Sequence, residues 1–184
     1  MPDRADKLSP LSIGLHWSIA VAILIALPIG LYMEDLPKGP ERNELIALHS
    51  TIGLVVLLLA VARIAWRTNQ GLPAPLGAPP PWQHRLAVVV HWGLLVATIA
   101  MPLSGIAQRL GHGSAVDVFG LFTLGPMAKN EILAQAGGAV HGIGANVLMV
   151  LLLLHVAGAL KHQFVDRDGT FARMLGRRVN SGDT

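Results

Sequence analysis

"HGIGANVLMVLLLLHVAGALKH", from His141 to His162, decides how this chain is read. It is apolar enough for a bilayer, yet it carries three histidines. A helix of about 20 apolar residues crosses a hydrocarbon core of about 30 Å. An ionisable group within such a segment is costly and needs a reason. Each helical residue turns the chain by about 100°, so His141 and His155 share a face and lie about 21 Å apart along it. His162 returns to that face two turns later. One helix therefore offers a histidine toward one end, another deep toward the other, and a third at the rim.

The rest of the chain is of the same kind. It has 184 residues, 52% of them hydrophobic and 14% charged, where soluble domains carry about 25% charged residues. That composition marks a membrane protein, and the length suits a single membrane domain over 1–184. The absence of cysteine excludes disulfides, thiolate ligands and a thioether-linked haem. Lys and Arg outnumber Asp and Glu by 14 to 11. These bases flank apolar segments instead of clustering with aromatics, so they report membrane topology and no nucleic-acid partner is expected.

Four segments are long enough to span: 11–33, 45–66, 86–106 and 139–161. The first is too long for a signal peptide, and no small-x-small cleavage site follows it. Pro102 is expected to kink the third near its end. Glu34–Glu44 reads as an acidic turn, and Arg67–Arg85 as a Pro-rich extended linker. Ala107–Gly138 reads as a longer loop whose "VDVFGLFTLGPM" could lie on the bundle as a lid. Arg4, Lys7, Arg63, Arg67, Arg85, Lys161, Arg167, Arg173, Arg177 and Arg178 fall on one side. Lys38, Arg42, Arg109 and Lys129 fall on the other. The positive-inside rule then puts both termini, and a basic tail over 162–184, in the cytoplasm. Trp17, Trp66, Trp82 and Trp92 sit at that side as an interfacial belt would. The expected fold is an all-α, four-helix integral membrane bundle.

Depth sorts the remaining histidines. His16 lies in the first turns of the first helix, near the cytoplasmic side. His49 opens the second helix, near the outer side. This pairs His16 with His155 and His49 with His141, at two depths. Two bis-histidine haems need such pairs, one imidazole on each face of each porphyrin. Gly14, Gly53, Gly142, Gly144 and Gly158 would leave room for flat macrocycles. Zinc or copper is the rival chemistry, weakened by the lack of carboxylates in the helices. A lone membrane histidine is more often a hydrogen-bonded packing residue, but four in depth-matched pairs fit that explanation less well. His91, His162 and Lys161 form a polar cluster beside the inner pair: interfacial snorkelling on one reading, a quinone site on the other. His84 and His112 read as solvated surface residues.

The chain resembles the bacterial cytochrome b561 family of small di-haem membrane cytochromes over about Ser9–Leu175. The resemblance rests on "LHW" at 15–17, "ALHSTIG" at 47–53 and "VVVHWGLLVATIAMPLSG" at 88–105. It continues in "FGLFTLGPM" at 119–127, "VHGIGANVLMVLLLLHVAGALKHQF" at 140–164 and "DGTFARML" at 168–175. It implies two haem b groups inside the bundle, with His16, His49, His141 and His155 as axial ligands, in a bacterial inner membrane. His91 and His162 match family histidines at the cytoplasmic end. Among members of this length, the resemblance also implies oxidation of superoxide at the periplasmic face, with ubiquinone as acceptor; the compact loops argue against an obligate protein partner. Arg42, Arg109 and Lys129 are the outer cations that could attract the anion. Two other functions compete. One is a cytochrome b anchor relaying electrons between a partner dehydrogenase or hydrogenase and the quinone pool. The other is a histidine-lined proton or metal transporter.

Overall fold

The computed structural model describes residues 3–4, 6–71, 76–77 and 79–179. Four long helices dominate: α1 Pro10–Asp35, α2 Pro40–Gln70, α3 Pro81–Gly111 and α4 Glu131–Lys161. A short hairpin, β1 Val116–Val118 with β2 Phe122–Leu124, lies between α3 and α4. A π-helical turn, His162–Asp166, and the short α5, Thr170–Met174, follow α4. The four long helices have mean hydropathies of 2.0 to 2.5 over their most apolar windows, and the chain is a multi-pass membrane protein. Leu58, Val96 and Leu153 are 60%, 61% and 71% exposed on the bundle, which is tolerable only where lipid covers them.

Each helix runs beyond the apolar segment that marks it. α2 starts at Pro40 instead of near Leu45, and α4 starts at Glu131 instead of near Ala139. Much of the expected 107–138 loop is therefore helix. Hydropathy detects the part matched to hydrocarbon, while caps set the true ends. The Ser9 hydroxyl accepts the Ser12 N–H at 3.2 Å and the Asn130 side chain accepts the Leu133 N–H at 3.0 Å. Pro10, Pro40 and Pro81 occupy first helical positions, where a missing N–H costs nothing. Gly71, at φ 74°, ends α2. Pro102 lies within α3, which continues to Gly111. Part of the Pro-rich linker, 72–75 and 78, lies outside the described residues, as does the tail beyond 179.

The segment expected to be a lid is only partly one. Positive φ at Phe119 and Gly120, with the Leu121 N–H bonded to the Val118 carbonyl at 3.0 Å, gives a tight primed turn. Val116 is buried at 2% exposure against α2 and α3. The tip is not seated: Leu121 is 81% exposed.

The helices pack as two close pairs, α1 on α2 and α3 on α4, joined through α2 and α3. α4 makes almost no close backbone contact with α1 or α2. Glycines set the α3–α4 approach. A Cβ on Gly137 would stand 2.6 Å from the Gln108 nitrogen and 2.9 Å from the Ser104 carbonyl oxygen. Gly144 belongs to this seam, since its Cβ would meet Met101 Sδ at 2.6 Å. That corrects the expectation that Gly144 leaves room for a macrocycle. Gly14, Gly53, Gly142 and Gly158 differ: a Cβ on any of them would have no neighbour within 4 Å.

Both termini meet at one end of the bundle. The Val179 N–H reaches the Asp6 carbonyl at 2.9 Å, and Trp17 Nε1 donates to the Met174 carbonyl at 2.9 Å. Trp66 Nε1 donates to the Ser12 hydroxyl at 2.8 Å. Asp3 accepts from the Ser9 N–H, the Ser12 hydroxyl and the Arg67 guanidinium. Burial alone would raise the Asp3 pKa, but these bonds overrule it and hold the carboxyl at about 2. Two of the four belt tryptophans thus also carry tertiary hydrogen bonds.

Gly137→Ala must push α3 off α4, at a cost of about 1–3 kcal/mol. The thermal midpoint in detergent should fall. Gly39→Ala, where nothing lies within 4 Å and the backbone is extended, should leave it unchanged.

Candidate functional site

All four candidate ligands lie well inside their helices. His49 does not open α2, because that helix starts more than two turns earlier, at Pro40. The structure brings the two expected pairs together. The His16 and His155 rings are 6.0 Å apart between centroids, and those of His49 and His141 are 5.9 Å apart.

Both pairs bridge α4 to a helix that it barely touches, α1 for one and α2 for the other. A flat group can therefore lie between the paired rings without parting packed backbones. Centroid separations of 6.0 and 5.9 Å would leave room for one metal ion between the two imidazoles of each pair, at bond lengths of about 2 Å. Gly53 lies one turn beyond His49, and Gly158 one turn beyond His155. Side chains so spaced share a helix face, and at both glycines that face is open.

Hydrogen bonds orient the outer pair. His49 Nδ1 lies 3.0 Å from the Ala26 carbonyl of α1, and His141 Nδ1 lies 3.0 Å from the Met101 carbonyl of α3. A carbonyl only accepts, so each Nδ1 carries the proton and each Nε2 keeps its lone pair. A metal-ligating histidine needs this arrangement. The Ser104 hydroxyl also lies 3.1 Å from His141 Nδ1. Gly30 and Gly105 admit the two rings: a Cβ there would crowd His49 at 3.0 Å and His141 at 3.3 Å. In the inner pair, His16 Nδ1 is buried with no hydrogen-bond partner among the described residues.

His155 has a second neighbour, His91, at 5.3 Å. His91 sits on α3, which packs closely on α4, so a macrocycle cannot pass between them. Its Nδ1–H donates to the Ala87 carbonyl of its own helix at 2.7 Å. A bare zinc or copper ion fits these pairs poorly. Neither pair belongs to a group of three or more metal-capable side chains among the described residues, and zinc sites use three or four protein ligands. A haem iron takes its other four bonds from the porphyrin, so two histidines suffice.

The chain matches the family model for prokaryotic cytochrome b561 over residues 7–177. It belongs to the prokaryotic cytochrome b561 family. It is 32% identical to cytochrome b561 homolog 2 of Escherichia coli K12, over 94% of this chain and 93% of that protein. It is 30% identical to the probable superoxide oxidase CybB of Yersinia pestis, over 94% and 97%. It is 28% identical to cytochrome b561 homolog 1 of Escherichia coli K12, over 94% and 99%. Family membership makes the protein a membrane electron carrier with b-type haem, and the histidine pairs have the spacing and setting such a group needs.

The remaining candidates divide by their partners. Lys161 Nζ is held by Asp166 at 2.6 Å and by Gln83 at 3.2 Å. His162 Nδ1 lies 2.6 Å from Asp168. Burial alone would raise the Asp168 pKa, but the Thr170 N–H and hydroxyl and the His162 ring outweigh it and hold the carboxyl below its usual range. At the opposite end, Arg42 lies two turns before His49 on the same face of α2, about 10 Å farther out. Its Nε donates to the Met33 carbonyl at 3.1 Å. Arg109 reaches the Ala115 carbonyl at 3.1 Å, and its Nε is buried without a partner among the described residues. Lys129 shares a surface hollow with His112 and Glu131. His84 and His112 are exposed.

Sequence reasoning did not find Ser104, Asp166, Asp168, Gln83 or the carbonyls of Ala26 and Met101. The carbonyls carry no side-chain signal, and the partners of His162 depend on the π-helical turn that folds Asp168 back.

Ligation by these pairs predicts that His49→Ala and His141→Ala each lower haem from two to one per chain by pyridine haemochrome. The same remaining haem should persist in both variants. Two haems retained in each would show that this pair does not hold one.

Proposed function

We propose that this protein is a di-haem oxidoreductase that takes electrons from superoxide on the periplasmic side and delivers them to ubiquinone. The observation that carries this reading is the stacking of two histidine pairs along α4, each opposite a helix that stands apart from it. His16 and His155 would hold the inner haem, and His49 and His141 the outer one. Haem b supplies reversible one-electron carriage when bound. Two superoxide ions each give up one electron and leave as dioxygen. One ubiquinone takes both electrons and two protons and leaves as ubiquinol.

The chain's own groups suit the two ends to different tasks. Arg42 and Arg109 are the cations that would meet a small anion at the end opposite the termini, where they stand among Glu34, Asp35, Glu41, Glu44, Asp117 and Glu131, so any attraction is local to each guanidinium. Arg42 is the better placed of the two, on the His49 face. At the end that carries the termini, Asp168 remains ionised at neutral pH and pins the His162 ring through Nδ1, leaving Nε2 to meet a quinone oxygen. His91 keeps a free Nε2 beside His155. Lys161 is a weaker candidate, because binding a quinone would cost it the Asp166 ion pair. The excess of Lys and Arg at the terminal end supports a cytoplasmic location for it.

The alternative reading is an electron relay serving a partner dehydrogenase. The apolar tip of the hairpin favours it, since Leu121 and Phe122 are 81% and 56% exposed. Stopped-flow mixing of the oxidised protein with superoxide separates the two readings. Direct haem reduction supports the oxidase, and none leaves the relay.

Right-side-out vesicles should consume externally generated superoxide while inverted vesicles should not; equal rates would count against this orientation.

His162→Leu preserves bulk and removes the hydrogen bond. Haem content and reduction by superoxide should survive. Reoxidation by ubiquinone should slow by about 5- to 150-fold, as expected for a lost bond worth roughly 1–3 kcal/mol. An unchanged reoxidation rate would put the quinone elsewhere.

A further inference from the structure

Arg63 is a cation that the histidine pairs do not explain. It sits in α2, inside a membrane-spanning helix. Arg42, His49, Val56 and Arg63 recur every seventh residue, so they form one stripe along α2. Val56 is 5% exposed, which turns the stripe inward. α4 carries the matching stripe His141, Leu148, His155 and His162, with Leu148 7% exposed. Arg63 thus stands at the depth of His155, as far along α2 from His49 as His155 is along α4 from His141.

Arg63 stands among histidines. The guanidinium lies within electrostatic range of His16, His91 and His155, one histidine from each of the other long helices. Its other charged neighbour is Arg67, which is already paired with Asp3. Among the described residues no carboxylate forms an ion pair with Arg63. An inward cation in hydrocarbon is costly unless something anionic meets it. A guanidinium is suited to a carboxylate, which it can bind through two parallel N–H bonds.

We infer that Arg63 is the charge partner of a haem propionate at the inner pair, and that its positive charge raises the reduction potential of that haem. The inference rests on the reading above, in which His16 and His155 hold a haem. A fixed cation beside the group favours its reduced form, because reduction adds one negative charge. This would make the inner haem the better electron acceptor of the two and bias transfer along α4 toward the terminal end.

The test is a potentiometric titration of the haem absorbance in purified full-length protein, wild type and Arg63→Gln, with His16→Ala used to assign the inner wave. Arg63→Gln should keep both haems, shift the inner wave to lower potential and leave the outer wave in place. It should also release the inner haem several-fold faster to apomyoglobin as a haem trap. Arg63→Lys, which keeps the charge, should stay closer to the wild type on both measures. Arg63→Met, neutral and compatible with hydrocarbon, replaces the Gln variant if that does not fold. An unmoved inner wave with unchanged haem release overturns the inference, as does an equal shift of both waves. Slower reoxidation by ubiquinone at an unchanged potential also overturns it, and assigns Arg63 to the quinone instead. A wild-type protein with no b-type spectrum overturns the functional reading and this inference together; an unmoved wave in a di-haem protein overturns this inference alone.

Discussion

In the outer pair each imidazole places its N–H on a backbone carbonyl of a neighbouring helix, and the orientation of that pair follows from where it goes. His49 gives its Nδ1–H to the Ala26 carbonyl across the α1–α2 contact, and His141 gives its own to Met101 across the α3–α4 contact. Each bond ties the histidine to the close partner of its own helix. The opposite nitrogen is then turned toward the other helix pair. Held in this way, the two rings stand 5.9 Å apart in an edge-on arrangement. An unsatisfied N–H would cost several kcal/mol in lipid, so packing and ligand orientation are specified by the same bonds.

That arrangement explains the uneven packing of the bundle. Within each pair the helices approach closely, and in α3–α4 the approach depends on Gly111, Gly137 and Gly144, where a Cβ would collide. Between α4 and the α1–α2 pair the backbones stand apart. Glycines therefore serve two purposes in one molecule. Some let two backbones touch, and at others, such as Gly53 and Gly158, a Cβ would meet nothing within 4 Å. Residue type alone does not separate them, as Gly144 shows.

The two ends of the bundle differ in how firmly they are tied. At the terminal end Asp3, Ser12, Trp66 and Arg67 bind the N-terminal segment to α2, and the Asp6 carbonyl binds the tail after α5. The π-helical turn after α4 folds Asp168 onto His162 beside this network. The opposite end carries a small hairpin seated by Val116, with an exposed tip.

The four apolar helices, and which histidines come together in pairs, were legible in the sequence, because hydropathy and the 100° helical turn are properties of a single helix. The spacing from His141 to His155 is enough to place two histidines on one face at two levels. The sequence by itself thus determined a four-span membrane helix bundle and which histidines share a level. It did not determine which helices pack and which stand apart, because apolar residues facing lipid and apolar residues facing a neighbour are alike in composition. Nor did it show where the helices end, since polar turns capped by Ser9 and Asn130 extend past the hydrocarbon. The carbonyl partners of His49 and His141, the bond from Lys161 to Gln83 and, among the described residues, the lack of a carboxylate paired with Arg63 were decided only by tertiary structure. Each of these depends on contacts between side chains and segments that chain order alone does not bring together.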